Sequence, residues 1–517
     1  MSARILLKNF IIVDGQRDSE SFQGDILIEG DRIIKVGQLQ ADQPSTRIIQ
    51  GDNSYIFPGF IDIHSHGDLM NFAPEGLSKK VKQGITTEVA GQCGLGTAPI
   101  KEGVKSGWHQ HMIIRNPLPK IPWNSVAEYF SQLQQRGLDN NLAYFLPHGL
   151  LRYNIRKGSK EPMNAEELEE FRDLAIKSFE EGAIGLSLGL CYFPAVYADS
   201  RELKTLFKLA DKYNKIISVH LRSEATGILD SLDEIINLAE GTNCRINISH
   251  LKVIGRSNEA KLDKLLEKIA NNSFTFDSYP YTFGNTSLEI IIPPEFIDEQ
   301  GLDALKDNQV REELKEIYQT GAYENISWDN LPYLLGWDNI YITGLNSGDR
   351  GDISGLSIKA IGDRLGKEPA DAAFDLLLEE DGSILMQDYF MEESVVKKIL
   401  SNQNGSIGTD SLFSKTNQHP RTSSAYPRIL KKYVFENQTI TLAEAINKFS
   451  QKSAEKLGLK DRGEIAPGMK ADLVIFSKDE LLNGRGNGIQ SVLINGKFKQ
   501  EEGIYHPDRK PGEIINK

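Results

Sequence analysis

Cysteine is scarce, with three residues in a chain of 517. An odd and small number of thiols cannot staple a chain this long. That excludes a disulfide framework and points to a reducing compartment or to specific thiol chemistry. Positive charge is in deficit: 59 Lys and Arg stand against 72 Asp and Glu, a net charge of −13. Such a balance argues against nucleic acid or an anionic membrane surface as the main partner. No stretch approaches the roughly 18 consecutive apolar residues of a membrane helix. Met1–Phe10 (MSARILLKNF) alternates apolar and basic residues and has no apolar core of the signal-peptide kind. These features together read as a cytoplasmic protein. No short repeat and no low-complexity tract is visible. Histidine is also sparse, and nine residues can be placed one by one.

Hydrophobic (39%) and charged (25%) fractions are those of a soluble globular chain, and the length allows more than one structural unit. The two ends resemble each other. Arg4–Val13, Gly24–Glu29 and Arg32–Val36 are short β-rich runs separated by Asp-Gly and Gly-Asp turns. Ala471–Phe476 and Ser491–Asn495 read the same way. Neither end is large enough for a core alone, so residues 1–55 and 463–517 are expected to form one small β-sandwich domain. Residues 56–462 would then be a domain threaded between its halves.

That middle segment alternates β-rich runs with helical stretches such as Ala165–Glu181 and Asp230–Glu240. The alternation implies a parallel sheet. Polar or reactive residues recur at the ends of the runs: His64 and His66, Cys93, His148, Ser187, His220, His250, Tyr279 and finally Asp410. The intervals from 64 to 93, 220 to 250 and 250 to 279 are 29, 30 and 29 residues, about one βα unit each. Eight such units predict a TIM barrel, an α/β fold whose active sites lie at the C-terminal strand ends. An open doubly wound sheet is the competing arrangement. The long interval before Asp410 predicts an insertion, plausible as a lid, within residues 284–400. Ile113–Trp123 is Pro-rich and reads as a loop.

The ladder carries chemistry. His64 and His66 lie two apart, so on a strand both imidazoles face one side and can hold one metal. Cys93 sits among glycines in AGQCGLG, which favours a tight loop and a ligand role over a buried hydrophobe. His220 and His250 end strands one βα unit apart and would be neighbours in a barrel. A thiolate plus two imidazoles suits zinc with one position open. Asp410, in IGTDS, would face His64 and His66 across the barrel seam. A carboxylate there can take a proton from an attacking water and pass it on.

These residues stand within a series of ordered motifs: FPGFIDIHSHGDL (57–69), GITTEVAGQCGLGTAP (84–99), HGLLR (148–152), EGAIGLSLGL (181–190), VHLR (219–222), SHLK (249–252), SYPYTFGNTSL (278–288), HPR (419–421), YPRIL (426–430) and DRGEIAPGMKADLVIF (461–476). The series resembles the amidohydrolase superfamily and, within it, the N-acyl-D-amino-acid deacylases. The resemblance implies a distorted barrel with a small β-sandwich. It also implies a tightly held Zn2+ on Cys93, His220 and His250. A second, weaker metal position would use His64, His66 and Asp410, with Cys93 able to bridge. Asp410 would act as general base and then general acid. Lys252, Tyr192, Tyr281, Arg421 and, more weakly, Ser287 match positions near the substrate carboxylate. Lys252 and Arg421 suit that place because a carboxylate needs charge-assisted donors.

The implied reaction is zinc-dependent hydrolysis of N-acyl-D-amino acids. Alternatives remain. A cyclic-amide hydrolase of the dihydroorotase or hydantoinase type uses a similar centre, although the fourth run, Ala183–Gly189, has no lysine to be carboxylated. A deacylase restricted to N-acyl-D-glutamate or D-aspartate needs a further cation, for which Arg152 and Arg222 are candidates. A metal-holding scaffold without catalysis is the third. The expected partner is a small N-acyl amino acid, not nucleic acid or membrane. Cys191 departs from the family pattern, and Cys191 and Cys244 are expected to be structural.

Overall fold

Eight parallel strands stand side by side and bring the reactive strand ends to one rim. In the computed structural model, residues 4–40, 45–72, 76–111, 121–297, 301–323, 328–345, 352–412 and 419–516 are described. Residues 113–120 of the Pro-rich segment lie outside them. The strands are β1 (Phe60–Asp62), β2 (Ile85–Ala90), β3 (Asn141–Pro147), β4 (Gly185–Gly189), β5 (Ile216–His220), β6 (Arg245–Ile248), β7 (Thr275–Ser278) and β8 (Gly405–Ile407). They pair in sequence order, all parallel, from β1 to β8. Beyond the two ends the ring closes. Ser65–His66 pairs in parallel with Ser411–Leu412, and the Asp410 amide donates to the His64 carbonyl at 2.8 Å. This is the predicted TIM-barrel fold.

Strands buried on both faces read as near-continuous apolar runs, because helices cover the outside. β4 and β5 are buried at every position. Leu203, Leu206 and Phe207 of helix Ser200–Lys212 pack with Leu232 and Ile235 of helix Ile228–Ala239 into that layer. Helix Ala165–Glu180 starts at a capping box between Asn164 and Glu167. A buried polar knot holds the seam between β1 and β8. The Lys80 ammonium donates to Asp62, and to Ser65 and Thr409 at 2.8 Å, while the Thr409 amide donates to Asp62 at 2.7 Å. Gly408 is required there, since a Cβ would meet His64 at 2.6 Å.

Strands from both chain ends share a second sheet of nine strands. Arg4–Ile12 pairs in parallel with Tyr55–Pro58, which pairs antiparallel with Leu473–Phe476. The sheet rolls back on itself. Its far strand, Arg32–Gly37, bridges Lys470, and Ile5, Phe10, Ile28, Leu473 and Leu493 fill the interior.

Between β7 and β8 the chain leaves the barrel. It forms helices that include Asn308–Thr320, Ile358–Leu365 and Pro369–Glu379. It also forms a three-stranded sheet of Thr286–Ser287, Ile384–Asp388 and Ile340–Leu345. Ile290, Trp328, Leu331 and Phe390 from this segment wall the cleft above the strand ends. Among the described residues no helix is long and apolar enough to cross a membrane.

Candidate metal centre

Cys93 leaves β2 in a glycine-rich turn and points its thiol at two imidazoles. Its Sγ lies 3.3 Å from His64 Nε2 and 3.2 Å from His250 Nε2. His66 Nε2 is 3.2 Å from Asp410 Oδ1, and His64 Nε2 is 3.7 Å from the same oxygen. A third group follows around the rim: His220 Nε2 lies 3.3 Å from Glu224 Oε2, and His250 Nδ1 lies 3.2 Å from Glu224 Oε1. His64, Cys93 and His250 thus form one potential ligand set, His64, His66 and Asp410 a second, and His220, Glu224 and His250 a third. All six sequence-predicted metal residues converge. The grouping differs from the expected triad, however, because Cys93 meets His64 and His250 while His220 stands with Glu224.

Three of these residues hold a left-handed backbone: Cys93 at φ 53°, His250 at φ 35° and Asp410 at φ 48°. Side-chain-bearing residues avoid this region, at a cost of about 1–3 kcal/mol each, and accept it mainly at functional sites. The surroundings enforce it. Ser187 of β4 accepts from the Gly94 amide at 3.0 Å and donates to the Gly91 carbonyl, pinning the Cys93 turn. A Cβ at Gly189 would meet the Cys93 carbonyl oxygen at 1.9 Å, so β4 must end in glycine. Asp277 of β7 accepts from the His250 amide at 2.8 Å and from Asn247 at 2.7 Å, and stands 3.3 Å from His64 Nδ1. A carboxylate behind an imidazole fixes its tautomer and raises its basicity as a ligand.

The electrostatics suit a cation. Burial, reinforced for His250 by the nearby Lys252 charge, holds His220 and His250 well below the usual imidazole range, which keeps them in the neutral ligand form. Burial opposes the Asp410 carboxylate, but the Arg421 guanidinium, with the hydrogen bond to His66, outweighs it and holds the carboxyl well below its ordinary range. The Asp410 Oδ2 to Arg421 Nη1 distance is 2.8 Å. Burial, followed by the Asp410 charge, pushes the Cys93 thiol well up, so a bare thiolate is unstable there. A divalent cation would reverse that penalty by compensating the sulfur charge directly. Thiol, imidazole and carboxylate donors clustered in this way are a set that zinc accepts.

The centre opens into a cleft enclosing about 740 Å³, open space at its mouth included. Tyr192, Lys252 and Arg421 line it. The Lys252 ammonium donates to both Glu224 oxygens at 2.7 and 2.8 Å and stands 2.7 Å from His250 Nδ1. Burial would lower its pKa, but the Glu224 charge outweighs burial and raises it. Arg421 lies over the Tyr279 ring at 4.7 Å. Tyr192 packs edge-on to His220, with centroids 4.9 Å apart. Tyr281 is buried under Arg428 and against His419, behind the cleft wall. Ser287 accepts from the Glu289 amide at 3.3 Å at the start of a short helical turn.

Of two cations weighed from sequence, Arg222 lines the cleft and Arg152 does not, and both are engaged within the protein. Arg222 donates to both Glu234 oxygens at 2.8 and 2.9 Å and to the Val196 and Ala198 carbonyls. Arg152 is fully buried and pairs with Glu202. Sequence reasoning missed Glu224 and Asp277. It also read Cys191 as structural. Cys191 instead lines the cleft, with its Sγ 3.0 Å from His220 Nε2. Cys244 lies away from the site and donates to the Phe207 carbonyl.

Known proteins resemble this chain over its length. The amidohydrolase family model matches residues 360–484. The N-acyl-D-glutamate deacylase of Alcaligenes xylosoxydans xylosoxydans is 28% identical over 511 residues, covering 96% of this chain and 93% of that protein. The D-aminoacylase of the same organism is 26% identical over 510 residues, covering 95% and 93%. The crystal structure of N-acyl-D-glutamate deacylase from Bordetella bronchiseptica, complexed with zinc and a phosphonate mimic of the tetrahedral intermediate, superposes with a TM-score of 0.82 at 25% identity. That match covers 100% of both chains.

Proposed function

Because this chain belongs to the amidohydrolases, in the D-aminoacylase family, we propose that it hydrolyses the amide bond of N-acyl-D-amino acids, releasing a carboxylate and a D-amino acid. The observation that carries this reading is the convergence of Cys93, His64, His66, His220, His250 and Asp410 at one rim of the barrel, with Lys252 and Arg421 in the same cleft. Cys93, His220 and His250 would hold one zinc ion, and His64, His66 and Asp410 a second, weaker one. Zinc at this rim would supply Lewis acidity, polarising the amide carbonyl and acidifying a water.

The protein's own groups do the rest. Asp410 is held ionised by Arg421 and can therefore accept a proton from the attacking water. Its Oδ1, beside His66 and His64, is the oxygen that carries that proton. Protonated Asp410 then gives the proton to the leaving nitrogen, which an amide needs in order to depart. Arg421 and Lys252 receive the substrate carboxylate. Each already has an acidic partner, Asp410 or Glu224, so the substrate shares these cations instead of meeting free ones. Tyr192 stands at the mouth of the centre, where it can donate to the developing oxyanion.

Two features separate this reading from its rivals. β4 carries no lysine to be carboxylated, and its Ser187 is used to brace the Cys93 turn. Restriction to D-glutamate or D-aspartate requires a further cation; Arg152 does not line the cleft, and Arg222, which does, spends all three guanidinium nitrogens on Glu234 and the Val196 and Ala198 carbonyls. The wall of Ile254, Ile290, Trp328, Leu331 and Phe390 instead suits an uncharged side chain. The test is a chiral panel of N-acetyl amino acids, with cyclic ureides alongside, offered to zinc-loaded enzyme. Release of D-amino acids with uncharged side chains is the expected result. Release from L substrates only, or from cyclic ureides only, would sink the proposal.

A further inference from the structure

Among the described residues four acids line the cleft, and three of them are spent within the protein. Glu224 takes the Lys252 ammonium on both oxygens, at 2.7 and 2.8 Å. Asp410 pairs with Arg421 at 2.8 Å. Asp329 accepts from the Ser223 hydroxyl at 2.6 Å and from the Glu224 amide at 2.8 Å. Asp388 is the exception. It is buried, and its Oδ1 has no hydrogen-bond partner in the protein. Leaving a buried polar atom unpaired is costly, so folded proteins keep few of them, and those they keep call for a reason.

The chain around Asp388 is shaped to hold that oxygen where it is. Asp388 ends Ile384–Asp388, the central strand of the three-stranded sheet between β7 and β8. The Gly284 amide donates to its carbonyl at 3.0 Å, and the next amide, that of Tyr389, donates to the Asn339 carbonyl at 3.0 Å. The strand end is therefore tied on both sides. A Cβ at Gly284 would meet Asp388 Oδ1 at 2.7 Å and the Phe390 ring at 2.9 Å, so only a glycine leaves room for both. Carboxyl and ring thus lie against one bare residue, and all three line the cleft. A substrate side chain running along the Phe390 ring comes within reach of the carboxyl.

The chemistry of that carboxyl narrows what it can meet. Burial favours its protonated form, with the pKa pushed up to about 7. A protonated carboxyl donates through one oxygen and accepts through the other. A primary carboxamide offers the matching pair in one plane, an N–H donor and a C=O acceptor, so the two groups close two parallel hydrogen bonds. An aliphatic side chain would leave Oδ1 unpaired. A carboxylate side chain has no proton to donate and would bring a charge to a cleft whose cations already have acidic partners.

We propose that Asp388 is a specificity-determining residue that pairs with a terminal carboxamide of the substrate side chain, which makes N-acyl-D-glutamine or N-acyl-D-asparagine the preferred substrate class. This rests on the reading above that the cleft hydrolyses N-acyl-D-amino acids, and it names the side chain within that class. The methylenes of the side chain pack on Phe390, and the amide at its end meets Asp388.

The test compares kcat/KM of zinc-loaded, full-length enzyme on the N-acetyl derivatives of D-glutamine, D-asparagine, D-glutamate, D-methionine and D-lysine. Methionine has nearly the shape of glutamine without its donor, and glutamate has the shape without its proton. The better of the two carboxamides should exceed methionine and glutamate by at least about tenfold, the cost of leaving a buried polar group unpaired. Asp388→Leu should lower the glutamine-to-methionine ratio by about tenfold or more. Asp388→Asn, which keeps a donor and an acceptor, should retain most of it. Equal wild-type rates on glutamine, asparagine and methionine, or a preference for glutamate or lysine, would overturn the inference and leave the proposed reaction standing. So would a ratio that Asp388→Leu does not move, or one that Asp388→Asn loses as fully as Asp388→Leu. The wild-type comparison stands without either variant. Failure to release any D-amino acid would overturn the reaction and the inference together.

Discussion

Two histidines that stand at the C-terminal ends of barrel strands meet opposite fates. His148 follows β3 and begins helix His148–Arg156. Its Nε2 lies 2.7 Å from Glu202 Oε1, the other Glu202 oxygen takes Arg152, and the ring packs edge-on against Phe171. His250 follows β6 and turns its Nε2 to Cys93 in an open cleft. The difference lies in the next helical layer. Glu202, in the first turn of helix Ser200–Lys212, reaches inward and closes the His148 group with a buried counter-charge. No such closure meets His250 Nε2, because Glu224 and Lys252 engage only its Nδ1 side. A strand end therefore fixes where a side chain sits. Its use depends on whether the surrounding protein already satisfies it.

The comparison breaks most sharply at Asp410, whose loss should leave the architecture of both regions intact. Asp410→Asn keeps the shape but cannot carry the proton, so kcat should fall by about 10²–10⁴-fold, the usual range for a general acid–base group. Zinc measured on the purified variant should remain bound. Near-normal kcat would remove Asp410 from the mechanism. Next in size come Cys93→Ser and His250→Ala, which should lower bound zinc, measured by elemental analysis, and turnover together. The corresponding change in the first region, His148→Ala, should leave bound zinc unaltered. Zinc loss in His148→Ala would erase the distinction between the two histidines.

Glu202→Ala probes the closed region from its acidic side. It strands a fully buried guanidinium and an imidazole. Removing one partner of a buried pair typically costs about 3–5 kcal/mol, so the unfolding midpoint should drop markedly. kcat at low temperature should stay near wild type. A variant that lost activity but not stability would place Glu202 in the site after all.

The legibility of the sequence follows the same division. β strands whose apolar runs end in His, Cys or Asp announced the barrel, its rim and the seam between His64 and Asp410, because strand period and βα spacing are local properties. Glu224 and Asp277 were not legible. Glu224 lies four residues beyond His220 on a loop without periodicity. Asp277 is a lone acid inside a strand, and its partner His64 is 213 residues away. The place of Cys191 was not legible for the same reason: nothing local in CYFPAV says that His220 comes within 3.0 Å. Pairings across the barrel are made by closure, which a linear reading can infer for strand ends but not for the residues between them.

The smallest effect concerns Asp388, the cleft's own buried acid. The residue is 4% exposed and one carboxyl oxygen has no protein partner. Burial pushes its pKa up to about 7, against the pull of Lys252 and Arg421. An unfolded aspartate titrates near 3.9. Between about pH 4 and pH 7 the folded chain thus holds a proton that the unfolded chain has released, and by linkage stability falls as pH rises through that window. Above it the loss is complete; below it none is felt. Asp388→Asn removes this titration. Relative to wild type, the variant should gain stability steadily from pH 4 to pH 7, read as a rise in Tm across that window. Other buried acids titrate in both proteins, so the difference between their Tm–pH curves is the readout. Parallel curves would mean that Lys252 and Arg421 already hold Asp388 ionised, and that the cleft carries one more negative charge toward its substrate than the neutral form allows.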